Sequence, residues 1–202
     1  MAESASHHQN NPKIRDEILV KRDQLTNTQI AKLSHKVIEN LKTIPQYVSA
    51  KLPLFYISFR SEVHTHALIQ ERLSRGLPVA APVTKVSERE LEIRLIKDWE
   101  RDLQVGAYGI LEPVPESTEM VDPSNVDLVI VPGSVFDMRC GRYGYGGGFY
   151  DRFLSDRAPQ AFRIGLAYEL QIMQKLRLKP HDQKMDMIVT EKRIIRCRSR
   201  AG

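Results

Sequence analysis

The sequence predicts an α/β fold, a three-layer sandwich around a mostly parallel sheet, with an N-terminal helical arm. Three observations predict it. Short apolar runs alternate with segments of helical period, the pattern of strands joined by helical crossovers. Residues 126–131, VDLVIV, are almost wholly apolar, as expected of a strand covered on both faces. No internal repeat, low-complexity segment or long linker divides the chain. A single domain is therefore expected over residues 13–202, behind a disordered tail at 1–12.

In chain order, residues 13–25 read as a helix with Ile14, Ile18 and Leu25 on an apolar stripe. Thr26 stands three residues before Gln29, the spacing of a capping box. The helix it would cap carries Ile30, Leu33, Val37, Ile38 and Leu41 at a 3.6-residue period, and Pro45 lies beyond its end. Residues 52–59, LPLFYISF, read as the first strand, 63–73 as a helix and 78–83 as the second strand. Leu91, Ile93 and Leu95 alternate with charged residues, so a half-exposed strand is expected there. Residues 98–123 read mostly as loop. After the central strand come a glycine-rich loop, a helix start at 149–154, a strand at 162–167 and a short helix at 171–176. Two short strands, 187–190 and 193–197, close the chain.

The 202 residues suffice for one sizeable core, and 42% hydrophobic with 27% charged residues is the make-up of a soluble globule. No apolar run approaches the roughly 18 residues of a membrane span, so no membrane partner is expected. The opening MAESASHHQNN has neither an apolar core nor an arginine, so no secretory or transit signal is read there. Cys140 and Cys197 do not make a disulfide framework, and a cytoplasmic location fits. The net charge of +5 suits a mildly basic surface or a site for an anionic substrate such as a nucleotide. Nucleic acid is not expected, because no long Lys/Arg run and no interleaving of basic and aromatic residues is present.

The chemistry concentrates in residues 127–154, DLVIVPGSVFDMRCGRYGYGGGFYDRFL. An apolar strand stops at Pro132-Gly133. A loop follows with Gly141, Gly144, Gly146, Gly147 and Gly148, and Phe149 opens a helix. Glycines let backbone N–H groups approach an anion closely, and a helix N-terminus adds partial positive charge. Arg139, Arg142 and Arg152 add full charges. The dinucleotide fingerprint fails, because Phe149 stands where its third small residue belongs. The P-loop fails for want of Gly-Lys-Ser/Thr. Asp151 reads either as a helix-dipole partner or, beside phosphates, as a Mg²⁺ ligand. Asp182 and Asp186, in a loop after Pro180, supply a second candidate carboxylate.

The run Pro132-Gly133…Phe136-Asp137…Gly141-Arg142-x-Gly144-Tyr145-Gly146-Gly147-Gly148-Phe149-Tyr150-Asp151-Arg152 resembles the signature of the 5-formyltetrahydrofolate cyclo-ligases, or 5,10-methenyltetrahydrofolate synthetases. Lys13-Ile14-Arg15, the run from Tyr108 to Pro113, Gly165-Leu166-Ala167-Tyr168 and His181-Asp182 resemble the family's other blocks in the same order. The resemblance covers about residues 11–195. It implies a Mg²⁺- and ATP-dependent ring closure of 5-formyltetrahydrofolate by a monomer or homodimer. It assigns ATP to Lys13, Arg15, Arg142, Tyr143, Gly144, Tyr145, Gly146, Gly147, Gly148, Phe149 and Tyr150. It assigns the metal to Asp151 and Asp182, and the folate to Glu62, with Ile57, Phe59, Tyr108 and Tyr150 as walls. Asn11 replaces a lysine frequent in the family. Tyr143 replaces a Leu or Val, a change expected to be tolerated if the side chain faces outward. Two other readings stay open: a relative that binds ATP but acts on another substrate, and a basic RNA- or protein-binding module without catalysis.

Overall fold

The computed structural model describes residues 11–197. The expected tail falls outside them except for Asn11 and Pro12, which already belong to the first helix. In chain order the elements are α1 (Asn11–Asp23), α2 (Asn27–Lys42), α3 (Pro45–Val48), β1 (Pro53–Leu54), α4 (His66–Ser74), β2 (Val79–Lys85) and β3 (Glu90–Ile96). Then come β4 (Leu103–Val105), β5 (Leu111–Pro113), β6 (Glu119–Met120), β7 (Leu128–Val131), β8 (Val135–Asp137), β9 (Arg142–Tyr143), α5 (Phe149–Arg152), β10 (Phe162–Leu166), β11 (Ile172–Met173), β12 (Met187–Val189) and β13 (Ile194–Arg196).

The main sheet has the order β13-β12-β10-β7-β1-β2-β3-β6. Its centre, from β12 through β10, β7 and β1 to β2, is parallel. Its edges pair antiparallel, β13 on β12 at one end and β3 and β6 at the other. The two-residue period of β7 divides the core. Leu128 and Ile130 face Val37, Leu41, Leu68 and Ile69 of α2 and α4. Val129 and Val131 face Phe153, Leu154 and Ala158 on the other side. All four β7 residues are buried, which is why the strand lacks polar positions.

Several elements differ from the sequence expectation. Only Pro53–Leu54 of the expected first strand joins a ladder. Residues 55–59 run on without one, and Ser58 exchanges bonds with Thr65 instead. The segment expected as loop at 98–123 holds three short strands, β4 and β5 forming a hairpin and β6 edging the main sheet. The helix expected at 171–176 is replaced by β11, which pairs with β8. Together with β9 these make a second, three-stranded sheet that the sequence did not reveal. The N-terminal helix is not a free arm: Ile14 and Ile18 pack against Val135, Tyr143 and Leu176. The fold brings Cys140 and Cys197 together with Cα atoms 6.1 Å apart, a separation that a disulfide can span. The partners are 57 residues apart in sequence, and only the fold joins them.

Candidate active site

The small sheet fixes the glycine loop. Asp137, buried at the end of β8, accepts hydrogen bonds from the N–H groups of Arg139 (2.9 Å), Gly141 (2.7 Å) and Leu176 (2.7 Å). Ser134 donates through both N and Oγ to the Tyr143 carbonyl. The chain therefore leaves β9 at Gly144 from a rigid base. Gly146 (φ 105°) and Gly148 (φ 68°) adopt left-handed backbone that a side chain would strain. The helix that follows is a single α turn, widening into a π turn over Phe153–Arg157. So few aligned peptides make a weak dipole. The donors on offer are the loop amides rather than the helix expected from sequence.

Two cavities meet at this loop. The first, of about 1110 Å³, is lined by Gly144, Gly146, Gly147 and Gly148 and by Arg15, Arg89, Arg142, Arg152, Arg177 and Lys179. Only Asp151 and Asp182 oppose that positive charge among the acidic residues lining it. Arg142 is buried beneath the loop. Its Nη1 donates to the Pro132 carbonyl (3.1 Å), and its Nη2 lies 2.9 Å from Asp151 Oδ1. The same Asp151 oxygen accepts from the N–H of Gln183 at 3.0 Å, which brings the Asp182 loop to the cavity edge. Arg152 clips the rim, donating to the carbonyls of Gly147 and Arg89. Two carboxylates beside clustered backbone donors form a set that suits Mg²⁺ bound together with phosphate oxygens.

The second cavity, of about 480 Å³, is more apolar. Ile57, Phe59, Glu62, Tyr108 and Tyr150, all expected as substrate contacts, line it together with Phe149. Glu62 Oε1 accepts from the Tyr145 hydroxyl (2.6 Å) and Oε2 from the Phe59 N–H (2.9 Å). Burial raises the Glu62 carboxyl above its ordinary range, and the bonds from Tyr145 and Phe59 and the charge of Arg22 partly offset this. Burial, then the Glu62 charge, raises the Tyr150 hydroxyl as well. Tyr108, with φ 60°, is held on a loop whose anchor is Glu112. That buried carboxylate accepts from Thr84 N (3.0 Å) and Ala107 N (3.2 Å). A Cβ on Gly106 would lie 2.2 Å from Glu112 Oε2, so a larger residue there would displace the Glu112 carboxylate.

Not every expected residue falls where it was assigned. Tyr145, Phe149 and Tyr150 line the second cavity rather than the first. Tyr143 lines the first cavity but does not face outward. It packs against α1, and its hydroxyl donates to the Arg177 carbonyl. Burial raises that hydroxyl. Lys13 and Arg139 are exposed and line neither cavity. Missing from the sequence reading were Arg22, Arg89, Arg177, Lys179 and the anchoring role of Glu112. Arg22 left a signal. Arg15, Leu19, Arg22 and Asp23 recur at i, i+4, i+7 and i+8, a second face of α1 beside the Ile14–Ile18 stripe. The others lie on loops, where no periodicity marks them.

Fold and cavities together define an α/β protein with two ligand-sized cavities that share a glycine-rich wall. The profile of the 5-formyltetrahydrofolate cyclo-ligase family matches residues 7–191, and the chain belongs to that family of enzymes. It is 32% identical over 173 residues to the 5-formyltetrahydrofolate cyclo-ligase of Haemophilus influenzae, covering 83% of this chain and 90% of that one. It is 27% identical to a probable 5-formyltetrahydrofolate cyclo-ligase of Schizosaccharomyces pombe over 86% of this chain and 89% of that one. The solved structure of Aquifex aeolicus 5,10-methenyltetrahydrofolate synthetase superposes with a TM-score of 0.82 at 34% identity, covering 95% of this chain and 94% of that one. Among the described residues no helix is long and apolar enough to cross a membrane.

Proposed function

We propose that the protein closes 5-formyltetrahydrofolate to 5,10-methenyltetrahydrofolate at the expense of ATP, with Mg²⁺, releasing ADP and phosphate. The observation that carries this reading is the shared wall. Arg142, Gly144, Gly147, Gly148 and Asp151 line both cavities. A phosphoryl group cradled by the loop amides would thus abut a ligand in the apolar cavity, and phosphoryl transfer depends chiefly on such positioning and on charge neutralisation.

In this reading Arg15, Arg142 and the amides of residues 144–148 hold the ATP phosphates. Asp151 and Asp182 hold Mg²⁺, which would neutralise phosphate charge. Glu62 accepts hydrogen bonds from the pterin amino and ring N–H groups, a face that offers donors, between the walls formed by Ile57, Phe59, Tyr108 and Tyr150. The formyl oxygen attacks the γ-phosphorus and ADP leaves. The anilino nitrogen then attacks the activated formyl carbon and loses its proton, and inorganic phosphate departs as the ring closes. Arg142, at the junction, faces charge on the transferring group in both steps. The purified protein, given 5-formyltetrahydrofolate and Mg²⁺-ATP, is expected to generate the near-ultraviolet absorbance of the methenyl product. Folded protein that produces no absorbance change would overturn the proposal.

A further inference from the structure

Between Gly144 and Phe149 the loop has only one side chain, that of Tyr145. Its anchorage therefore decides how the loop backbone is held. Its hydroxyl donates to Glu62 Oε1 at 2.6 Å and accepts from Arg22 Nη1 at 2.9 Å. Arg22 is itself fixed: it is buried, Nε donates to Ser61 Oγ at 3.0 Å, and Ser61 Oγ in turn donates to Asp23. The Glu62 backbone is pinned separately, its carbonyl accepting from the Tyr168 hydroxyl at 3.0 Å. The loop that walls the basic cavity is thus tied through one phenol to the carboxylate of the apolar cavity. The partners lie 83 and 123 residues away in sequence.

We infer that Tyr145 is a positioning residue that orients Glu62 for the folate and couples folate binding to nucleotide binding, an inference that rests on the function proposed above. The coupling follows from the covalent path. Nucleotide phosphates that order the amides of residues 144–148 also fix the Tyr145 backbone, and so the oxygen to which Glu62 is bonded. Folate that engages Glu62 orders the same loop in return, as linkage requires. The orienting role follows from charge. The groups facing Glu62 are Arg22 from α1, with Asp23 beside that arginine, Tyr56 from the segment after β1, Tyr145, Tyr150 from α5, and Tyr168 after β10. Desolvation and neighbouring carboxylate charge raise the Tyr145 hydroxyl, so it stays a donor, and with Arg22 it favours the ionised form of Glu62.

The test is calorimetric binding of 5-formyltetrahydrofolate to the full chain and to Tyr145→Phe. Binding is followed across pH, with and without a non-hydrolysable ATP analogue. Tyr145→Phe keeps the ring and removes only the donor. Folate affinity at neutral pH should fall about tenfold, the loss of a hydrogen bond to a charged group. Without the Tyr145 bond Glu62 takes up its proton more readily, so the acid limb of folate binding should move to higher pH. The ATP analogue should tighten folate binding by about fivefold or more in the wild type and have little effect on it in the variant. An unmoved acid limb together with unchanged coupling in Tyr145→Phe would overturn this inference and leave the proposed function standing. A wild-type chain that binds no 5-formyltetrahydrofolate would overturn both.

Discussion

The two cavities share a wall and are built by opposite means. In the basic cavity the ligand-facing surface is mostly backbone and long cationic side chains, and its buried Arg142 already has Asp151 as a counter-charge. In the apolar cavity a carboxylate, Glu62, is held among rings and must be kept ionised by Tyr145, the Phe59 N–H and Arg22. In the first cavity the buried cation is already paired with a carboxylate. The second carries a charge whose burial is unfavourable. Removing a charged group should therefore cost both stability and activity on one side, and activity alone on the other.

The largest effect is expected at the shared wall. Arg142→Ala removes the cation proposed to face the transferring group, and turnover should fall on the order of 10²- to 10³-fold. It also strands Asp151 without its partner, which should cost about 3 kcal/mol of stability. Initial rates from the methenyl absorbance, together with urea unfolding, measure the two losses. Asp151→Asn should lose comparable turnover and raise the Mg²⁺ concentration needed for half-maximal rate. Near-wild-type rates in either variant would remove the assigned role of the wall.

The counterpart on the apolar side is Glu62→Gln. It should raise the KM for 5-formyltetrahydrofolate by about 100-fold, the loss of charge-assisted hydrogen bonds, while the affinity for an ATP analogue measured alone stays put. Its stability should move the other way. Burial raises the folded-state pKa of Glu62 above its unfolded value. The stability tied to that group is full below the unfolded pKa and is lost as pH rises through the folded one. Glutamine does not titrate, so thermal unfolding of Glu62→Gln against wild type should shift in favour of the variant as pH rises across that window. A variant that weakens both ligands equally, or loses stability with rising pH, would erase the contrast between the cavities.

The contrast was only half legible in the sequence. The sheet core was readable because burial on both faces of β7 leaves an apolar run, and the capping box of α2 because it is a local pattern. The glycine loop announced a ligand because five glycines among residues 141–148 carry a heavier entropic penalty than a mere turn requires. The direction of Tyr145 was not readable, since side-chain orientation in a glycine loop follows no period. The second sheet was hidden because β8, β9 and β11 have two or three residues each, too short for alternation to register. Arg22 and the Cys140–Cys197 pair depend on contacts that only the fold creates.

The smallest expected effect provides the reference for both cavities. Thr26 caps α2, its Oγ1 accepting from Gln29 N at 3.3 Å while Gln29 Oε1 accepts from Thr26 N at 2.8 Å. No residue of α2 lines either cavity, and Thr26 itself is exposed. Thr26→Ala should cost about 1 kcal/mol of stability, read from urea unfolding with an unchanged slope. Both KM values and the turnover should stay at wild-type levels at temperatures well below the transition. If this variant also shifted the folate KM, a general loosening of the fold would suffice to perturb the apolar cavity, and the effects at Glu62 would no longer report on that carboxylate.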